Sequence, residues 1–414
     1  MIKQIVALVL AVLALAGNAV SADLDLTSCG TVVPAMANAR LPADLDCSTA
    51  AGPGVVLEMG AALDLNGFTL VGNPSAFGAD GVSCADGCRV DGPGTVRSFG
   101  QDGISAQGVL TVHNAVVSDN GRYGIVARTV TVADSSISSN VEYGVFGHNV
   151  ANVSRCSISG NGGGVIADNR PTVLTLKGNA TVQDSTLSGN GFGVFAVIHA
   201  TIVGSVIQDN SSDGVDGHAI FVDSSTIQRN FDGLYASGFY ENPSIVVTNS
   251  TVADNLHLGI DCYWTDFVYR RTGTVRISDT HVNNNGYGGI ATFAASVLRS
   301  ELVGNSENGI FAIHASLKGS NVSGSGLDGV HLFSTYSDVG NNYVAKAALK
   351  DSSVTSNGGA GVLSQGRVTA VGSTVTGNTV DIESQNQPRL ASTTCNTSEV
   401  YGQSTSWGVC SLDP

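Results

Sequence analysis

The chain has 414 residues, with 19 Lys+Arg against 34 Asp+Glu, a net charge of −15 and 52 Gly. That acidity excludes nucleic acid as a partner, because phosphates need Lys and Arg. A charged content of only 13%, with abundant Gly, excludes a disordered chain and fits a turn-rich all-β protein.

Residues 1–22 read as a secretory signal: Lys3 supplies the positive end, Ile5 to Ala16 the apolar run and Val20-Ser-Ala22 the small-residue cleavage site. The run is too short to span a bilayer and no other segment is long and apolar enough, so a secreted or periplasmic protein with no membrane partner is expected. Eight Cys in an exported chain are expected to pair. Cys29 with Cys47, Cys84 with Cys88 and Cys395 with Cys410 would staple the two ends, although sequence does not fix connectivity. Cys156 and Cys262 read as buried small residues.

Residues 23–62 read as an N-terminal cap, and Leu63-Asp-Leu-Asn-Gly-Phe-Thr-Leu70 is the first convincing strand. Residues 78–103 mark irregular early coils, the repeat fills the span 63–384, and 385–414 lose it and cap the other end. No linker or second domain is visible.

A motif of about twenty residues organises this span, clearest in Gly193-Val-Phe-Ala-Val-Ile-His-Ala-Thr-Ile-Val-Gly-Ser-Val-Ile-Gln-Asp-Asn210. Asn recurs at 120, 140, 161, 190, 210, 230, 255, 285, 305, 357 and 378, with Ser325 standing in once, and an aliphatic residue always lies three positions earlier. The strands alternate and nothing in the repeat has a helical period. One coil cannot bury its apolar side, so the coils must stack into a solenoid, with Asn at a recurrent turn able to form a ladder. The chain resembles the right-handed parallel β-helix proteins of the pectin-lyase type, which carry this Ser-x-Ile-x-x-Asn…Gly-Ile pattern. About thirteen coils are expected.

Strand alternation then sorts the side chains. The residue after each repeat Gly forms the core column. The column two after Gly faces outward: Val126, Phe146, Ile166, Phe195, Asp216, Tyr235, Asp261, Ala291, Phe311, His331 and Leu363. The column four after Gly is expected to face outward as well, from Arg128 and His148 through Asp168, Val197, His218, Ser237, Tyr263, Phe293 and Ile313 to Phe333 and Gln365. Both are apolar at the ends and polar in the middle, where Asp216, His218, Tyr235, Asp261 and Tyr263 would share one patch.

The long coils place their extra residues, 168–179, 237–243, 261–272 and 334–345, on the same side of the rod. These loops carry Tyr240, Glu241, Tyr263, Trp264, Asp266, Arg270, Arg271 and Tyr336. Aromatic rings stack on sugar faces and Arg holds carboxylates bidentately, which suggests a walled groove for a carbohydrate chain. Tyr240, Glu241, Trp264, Asp266, Arg271, His331 and Tyr336 are the substrate-binding candidates.

Gly214-Val-Asp-Gly-His218 resembles the Gly-Phe-Asp-Pro-His segment of mannuronan C-5-epimerases, which are also secreted parallel β-helices. The resemblance implies catalytic roles for Asp216 and His218. Gly217 replaces the family's Pro, and Asp213 replaces the Tyr that precedes its Gly, so Tyr235 or Tyr263 would have to supply the phenol. Epimerisation and β-elimination of uronates both begin by removing the C5 proton while the neighbouring carboxylate is neutralised. His218 or Tyr235 would act as base and acid, Asp216 and Asp261 would orient them, and Arg270 with Arg271 would hold the substrate carboxylate.

Two other readings compete. A glycoside hydrolase would need paired carboxylates, drawn from Asp216, Asp232, Asp261 and Asp266. A non-catalytic binding or adhesin scaffold would need only the groove. Asp213, Asp232 and Asp328 precede Gly and read as turn formers; His199, His257, His281 and His314 read as surface or packing residues, a reading also weighed for His331. No metal site is legible; Ca²⁺ is the one cofactor considered, as a bridge between an acidic protein and an acidic polysaccharide.

Overall fold

The protein is described here by a computed structural model, which covers residues 24–169, 177–237, 242–262, 272–336 and 342–413. The expected signal at 1–22 lies outside the described residues. Every regular element among them is a β-strand.

One coil shows how the repeat winds. Val206–Gln208 is a short strand. Asp209 then takes a left-handed conformation at φ 57°, turning the chain at Asn210. Val215–Asp223 runs along the next two faces, Ser224 turns again at φ 51°, and Thr226–Gln228 lies directly on Val206–Gln208 in parallel register. The corner before Asn is held by Asp, Ser, Asn, Arg or Gly in successive coils; short polar residues and Gly pay least for this conformation. The short strands stack into a sheet of sixteen, one per coil. The count exceeds the expected thirteen: besides the twelve short strands that precede an Asn or Ser325 mark, Leu45–Asp46, Thr69–Val71 and Thr95–Arg97 begin the stack and Thr394–Cys395 ends it. At about 4.8 Å per strand the stack is roughly 70 Å long.

The other two faces carry paired parallel strands, some fused into one bent strand such as Ile125–Ala133 and Val194–Val203. At the bend the register shifts, between Ala127 and Thr129 and again between Ala196 and His199. Elsewhere the bend splits the strand, as between Leu234–Ala236 and Ser244–Thr248, and here the long coils insert their extra residues. The inserted loops therefore all leave from one edge. Two loop bases are tied together, Thr272 N–H donating to Asn242 Oδ1 at 3.1 Å.

The interior is one continuous apolar cluster from Leu26 to Cys395, with two polar ladders at its corners. Asn210 donates through both its backbone N–H (3.2 Å) and Nδ2 (2.8 Å) to Asn230 Oδ1, and Asn230 does the same to Asn255. At the other corner Ser185 N–H donates to Ser205 Oγ, Ser205 to Ser225 and Ser225 to Ser250. Corner N–H groups point along the rod and have no strand partner, so the side chain of the next coil must accept them. This requirement fixes the Asn and Ser spacing in the sequence.

The three expected disulfides are present: Cys29–Cys47, Cys84–Cys88 and Cys395–Cys410. Cys156 and Cys262 are free and buried. Burial pushes their thiols up to about 11 and about 12, so neither is a ready nucleophile.

Candidate functional site

Backbone register decides which side chains share the outer face. Phe195 pairs with Asp216, Asp216 with Tyr235, Tyr235 with Asp261 and Asp261 with Ala291, each on the strand of the next coil. Neighbours in this line are therefore about 4.8 Å apart along the rod. Val215 and Leu234, beside them, are wholly buried, so Asp216 and Tyr235 point out from the sheet. His218 follows Asp216 on the same strand, and its Nδ1 lies 3.4 Å from the Ser237 carbonyl of the next coil. Asp216, His218, Tyr235 and Asp261 thus lie together on the outside of the rod.

Tyr235 is the electrostatic centre. Burial pushes its phenol up to about 12, with further upward pushes from Asp261, Asp216, Asp213 and Asp232. A phenol in that setting keeps its proton at neutral pH and can donate it.

The residue before each repeat Gly forms another outward line with a different job. The Asp80 carboxylate accepts the Asp102 N–H, Asp102 the Tyr123 N–H, Asp232 the Leu258 N–H and Asp328 the Ala360 N–H. These Asp residues do more than start turns: each caps the coil above it. Asp213 belongs to this line, and its carboxyl is pushed up to about 6, first by burial and then by Asp232. Asp232 also pairs with His257 at 2.8 Å.

The line one residue earlier holds Phe231, His257 and Tyr287. Phe231 stacks on His257 at 5.3 Å, and His257 lies 4.8 Å from Tyr287 at 31°. Phe231 and Tyr287 are exposed. These rings flank the acidic patch and were missed because the chain has no strand period before the Gly; their spacing at two residues before Gly in three successive coils was the available signal. His257 packs, as expected, but on the candidate site.

Aromatic groups continue along the face in both directions. Tyr123 stacks on Tyr143 at 5.4 Å, Tyr143 meets Phe146 and Phe192 at 5.8 Å each, and Phe192 meets Phe195 at 6.3 Å. Val126 and Ile166 point outward by register but are buried as the strand partners of Phe146 below and above it. On the far side Phe311 stacks on Phe333 at 4.7 Å, and Tyr343 of the hairpin Thr335–Tyr336 with Asn342–Tyr343 meets Phe293 edge-on at 4.9 Å.

Some expected positions fall elsewhere. Ile313 is only 2% exposed, yet it stands apart from the apolar core that holds its neighbours Ala312 and Ala315. It sits in the bend between Ile310–Ala312 and His314–Lys318. His331 is three coils above Asp261, tied to Asp328 at 2.8 Å and set against Phe311. Tyr336 lies on the hairpin backbone. Tyr240, Glu241, Tyr263, Trp264, Asp266, Arg270 and Arg271 lie outside the described residues. Among the described residues no three His, Cys, Asp or Glu side chains gather to hold a metal ion, and no helix is long and apolar enough to cross a membrane. Two open hollows, of about 390 and 450 Å³, lie at the Ser-ladder corner around Arg299 and Arg155, away from this face.

Residues 147–306 match the family described as right handed beta helix region. The pairing extends that winding to both ends, and the fold is a right-handed parallel β-helix. A tailspike protein of E. coli bacteriophage HK620, solved with a pentasaccharide, is similar in structure at 11% identity and TM-score 0.36, covering 90% of this chain and 71% of that one. The mannuronan C-5 epimerase AlgE4 A-module of Azotobacter vinelandii aligns at 14% identity and TM-score 0.22, covering 90% of this chain and 91% of its own. Pectate lyase Pel9A aligns at 15% identity and TM-score 0.17, covering 93% and 71%. No curated protein matches.

Proposed function

We propose that this is an exported polysaccharide-modifying enzyme that removes the C5 proton of a uronate unit. The three disulfides support an oxidising compartment, with residues 1–22 as the signal and 23–62 and 385–414 as caps. One observation carries the chemistry: Asp216, Tyr235 and Asp261 stack in register on the outer face, with His218 beside them.

In this reading His218 accepts the C5 proton and the electron pair spreads into the substrate carboxyl group. The Tyr235 phenol then donates its proton. Delivery to the opposite face of C5 gives the epimer; delivery to the departing O4 as the C4–O bond breaks gives an unsaturated product. Asp216 and Asp261 orient the two groups. Asp213, with its raised affinity for a proton, is suited to stand near an anionic substrate. Arg270 and Arg271 are proposed to hold the substrate carboxylate, and Ca²⁺ stays a candidate bridge to the polymer.

Purified protein on a panel of uronate polymers in D₂O tests this. Deuterium uptake at C5 is expected, with absorbance near 235 nm if elimination follows, and Tyr235→Phe should lose about 100-fold or more of the rate. No uptake with any uronate sinks the proposal.

A glycosidase is the second reading, favoured by Asp213, whose carboxyl is pushed up to about 6, one coil below Asp232. Their rung spacing of about 4.8 Å approaches the carboxylate separation of retaining enzymes, roughly 5–5.5 Å. Asp232 is already engaged by His257 and the Leu258 N–H, which places this reading behind the first. New reducing ends without 235 nm absorbance would select it; binding without any chemistry would select a scaffold.

A further inference from the structure

Arg122 stands at one end of the outer face and takes no part in the proposed chemistry. Its guanidinium lies over the Tyr123 ring at 4.2 Å and donates from Nη2 to the Tyr123 hydroxyl at 3.0 Å. Tyr123 in turn stacks on Tyr143. The guanidinium is held over an aromatic base with its side chain 44% exposed; its ion-pair partner is Glu142 at 3.8 Å, itself 47% exposed, and the carboxyls of Asp102 and Asp80 also act on its charge. A pair that open and that long is weak, and a better-placed carboxylate would displace Glu142.

The location matters as much as the charge. Ile125, on the Arg122 coil, connects to Val215, on the Asp216 coil, through Val145, Val165 and Val194 in unbroken register. Four coils are about 19 Å at strand spacing. Between the two positions the face is lined by Tyr143, Phe146, Phe192 and Phe195, whose rings stand in contact along the rod. A sugar chain lying on those rings from the Asp216 patch would bring a later unit to Arg122.

We infer that Arg122, seated on Tyr123 and Tyr143, is a distal subsite that binds the carboxylate of a uronate unit several residues from the reacting one. The inference rests on the proposed uronate substrate. It answers a problem that substrate poses: the reacting patch carries four Asp residues, so an anionic polymer needs attraction from elsewhere on the face. Arg122 supplies it at a distance where it does not alter the phenol.

The test measures binding, with Tyr235→Phe as the background so that turnover does not intervene. Uronate octamers, uronate trimers and the same octamers with carboxyl groups reduced to alcohols are titrated by calorimetry against Arg122→Gln and Glu142→Gln. At least one uronate octamer is expected to bind about tenfold more weakly to Arg122→Gln and about twofold more tightly to Glu142→Gln. Trimers and reduced octamers should be indifferent to both changes. Glu142→Gln leaves the guanidinium seated, so its gain cannot arise from misfolding. Equal octamer affinities across the three proteins, or no octamer binding at all, overturn the subsite. Failure of C5 exchange with the charge dependence intact would sink the chemistry and leave the subsite standing.

Discussion

At the inner corner, Asn210, Asn230, Asn255 and Asn285 repeat one side chain and one hydrogen-bond pattern coil after coil. On the outer face the same coils place Phe195, Asp216, Tyr235, Asp261 and Ala291 in one line with no repetition. The inner position is constrained because a buried N–H of the neighbouring coil must be accepted there, and an amide of that length reaches it. The outer position is constrained only by strand geometry, so its chemistry can change from aromatic to acidic without disturbing the winding. A β-helix can therefore hold its stability and its chemistry in different residues of one coil.

Exchanging the effects of one substitution on each side would break this comparison. Asn230→Ala removes the acceptor of the Asn210 N–H and Nδ2 and the donor to Ile207 O, all buried. A loss of about 3 kcal/mol is expected, read as the shift of a urea midpoint. Tyr235→Phe should leave the midpoint within about 0.5 kcal/mol while removing the chemistry. If Asn230→Ala costs under about 1 kcal/mol, the ladder is not what holds the corner.

A smaller effect sharpens the boundary between structural and reactive Asp. Burial, then Asp80, pushes the Asp102 carboxyl up to about 6 from 3.8. Its folded-state pKa is raised, so the folded protein holds this proton better than the unfolded one. Stability from this group is intact below about pH 4 and falls as pH rises to about 6. Asp102→Asn removes the charge and keeps an oxygen for the Tyr123 N–H; Asn308 already does this in the same line, accepting the Asp328 N–H at 3.2 Å. The variant should be more stable than the parent by about 1–2 kcal/mol at pH 7 and equal to it at pH 4. A gain that persists at pH 4 would show that charge is not the cause.

Legibility in the sequence followed the same division. The Asn and aliphatic marks were readable because each meets a demand that recurs in every coil, and the line of Asp216, Tyr235 and Asp261 followed from counting two residues past Gly. Counting gave direction but not exposure: Val126, Ile166 and Ile313 stand in the outward columns and are nonetheless buried by neighbouring coils. Phe231, His257, Tyr287 and Arg122 precede the Gly in turns, where no period predicts direction. Their roles come from stacking between coils, which a single pass along the chain does not display.

The smallest prediction concerns the one irregular rung of the ladder. Ser325 holds the Asn position, and its Oγ is buried with no hydrogen-bond partner, while its own N–H still donates to Asn357 Oδ1 at 3.0 Å. A serine hydroxyl is shorter than an amide and does not reach the N–H of Asn305 in the coil below. Ser325→Asn should therefore close the ladder, adding about 1 kcal/mol of stability with no change in polymer binding. Because coils fold as neighbours, the gain should be largest where unfolding starts between these two coils, and hydrogen exchange at the Asn305 amide is its most direct reading. Slower exchange there in the variant supports the ladder as a chain of acceptors; unchanged exchange would mean that the rung is already closed by other means, and that the regularity of the inner corner reflects packing more than hydrogen bonding.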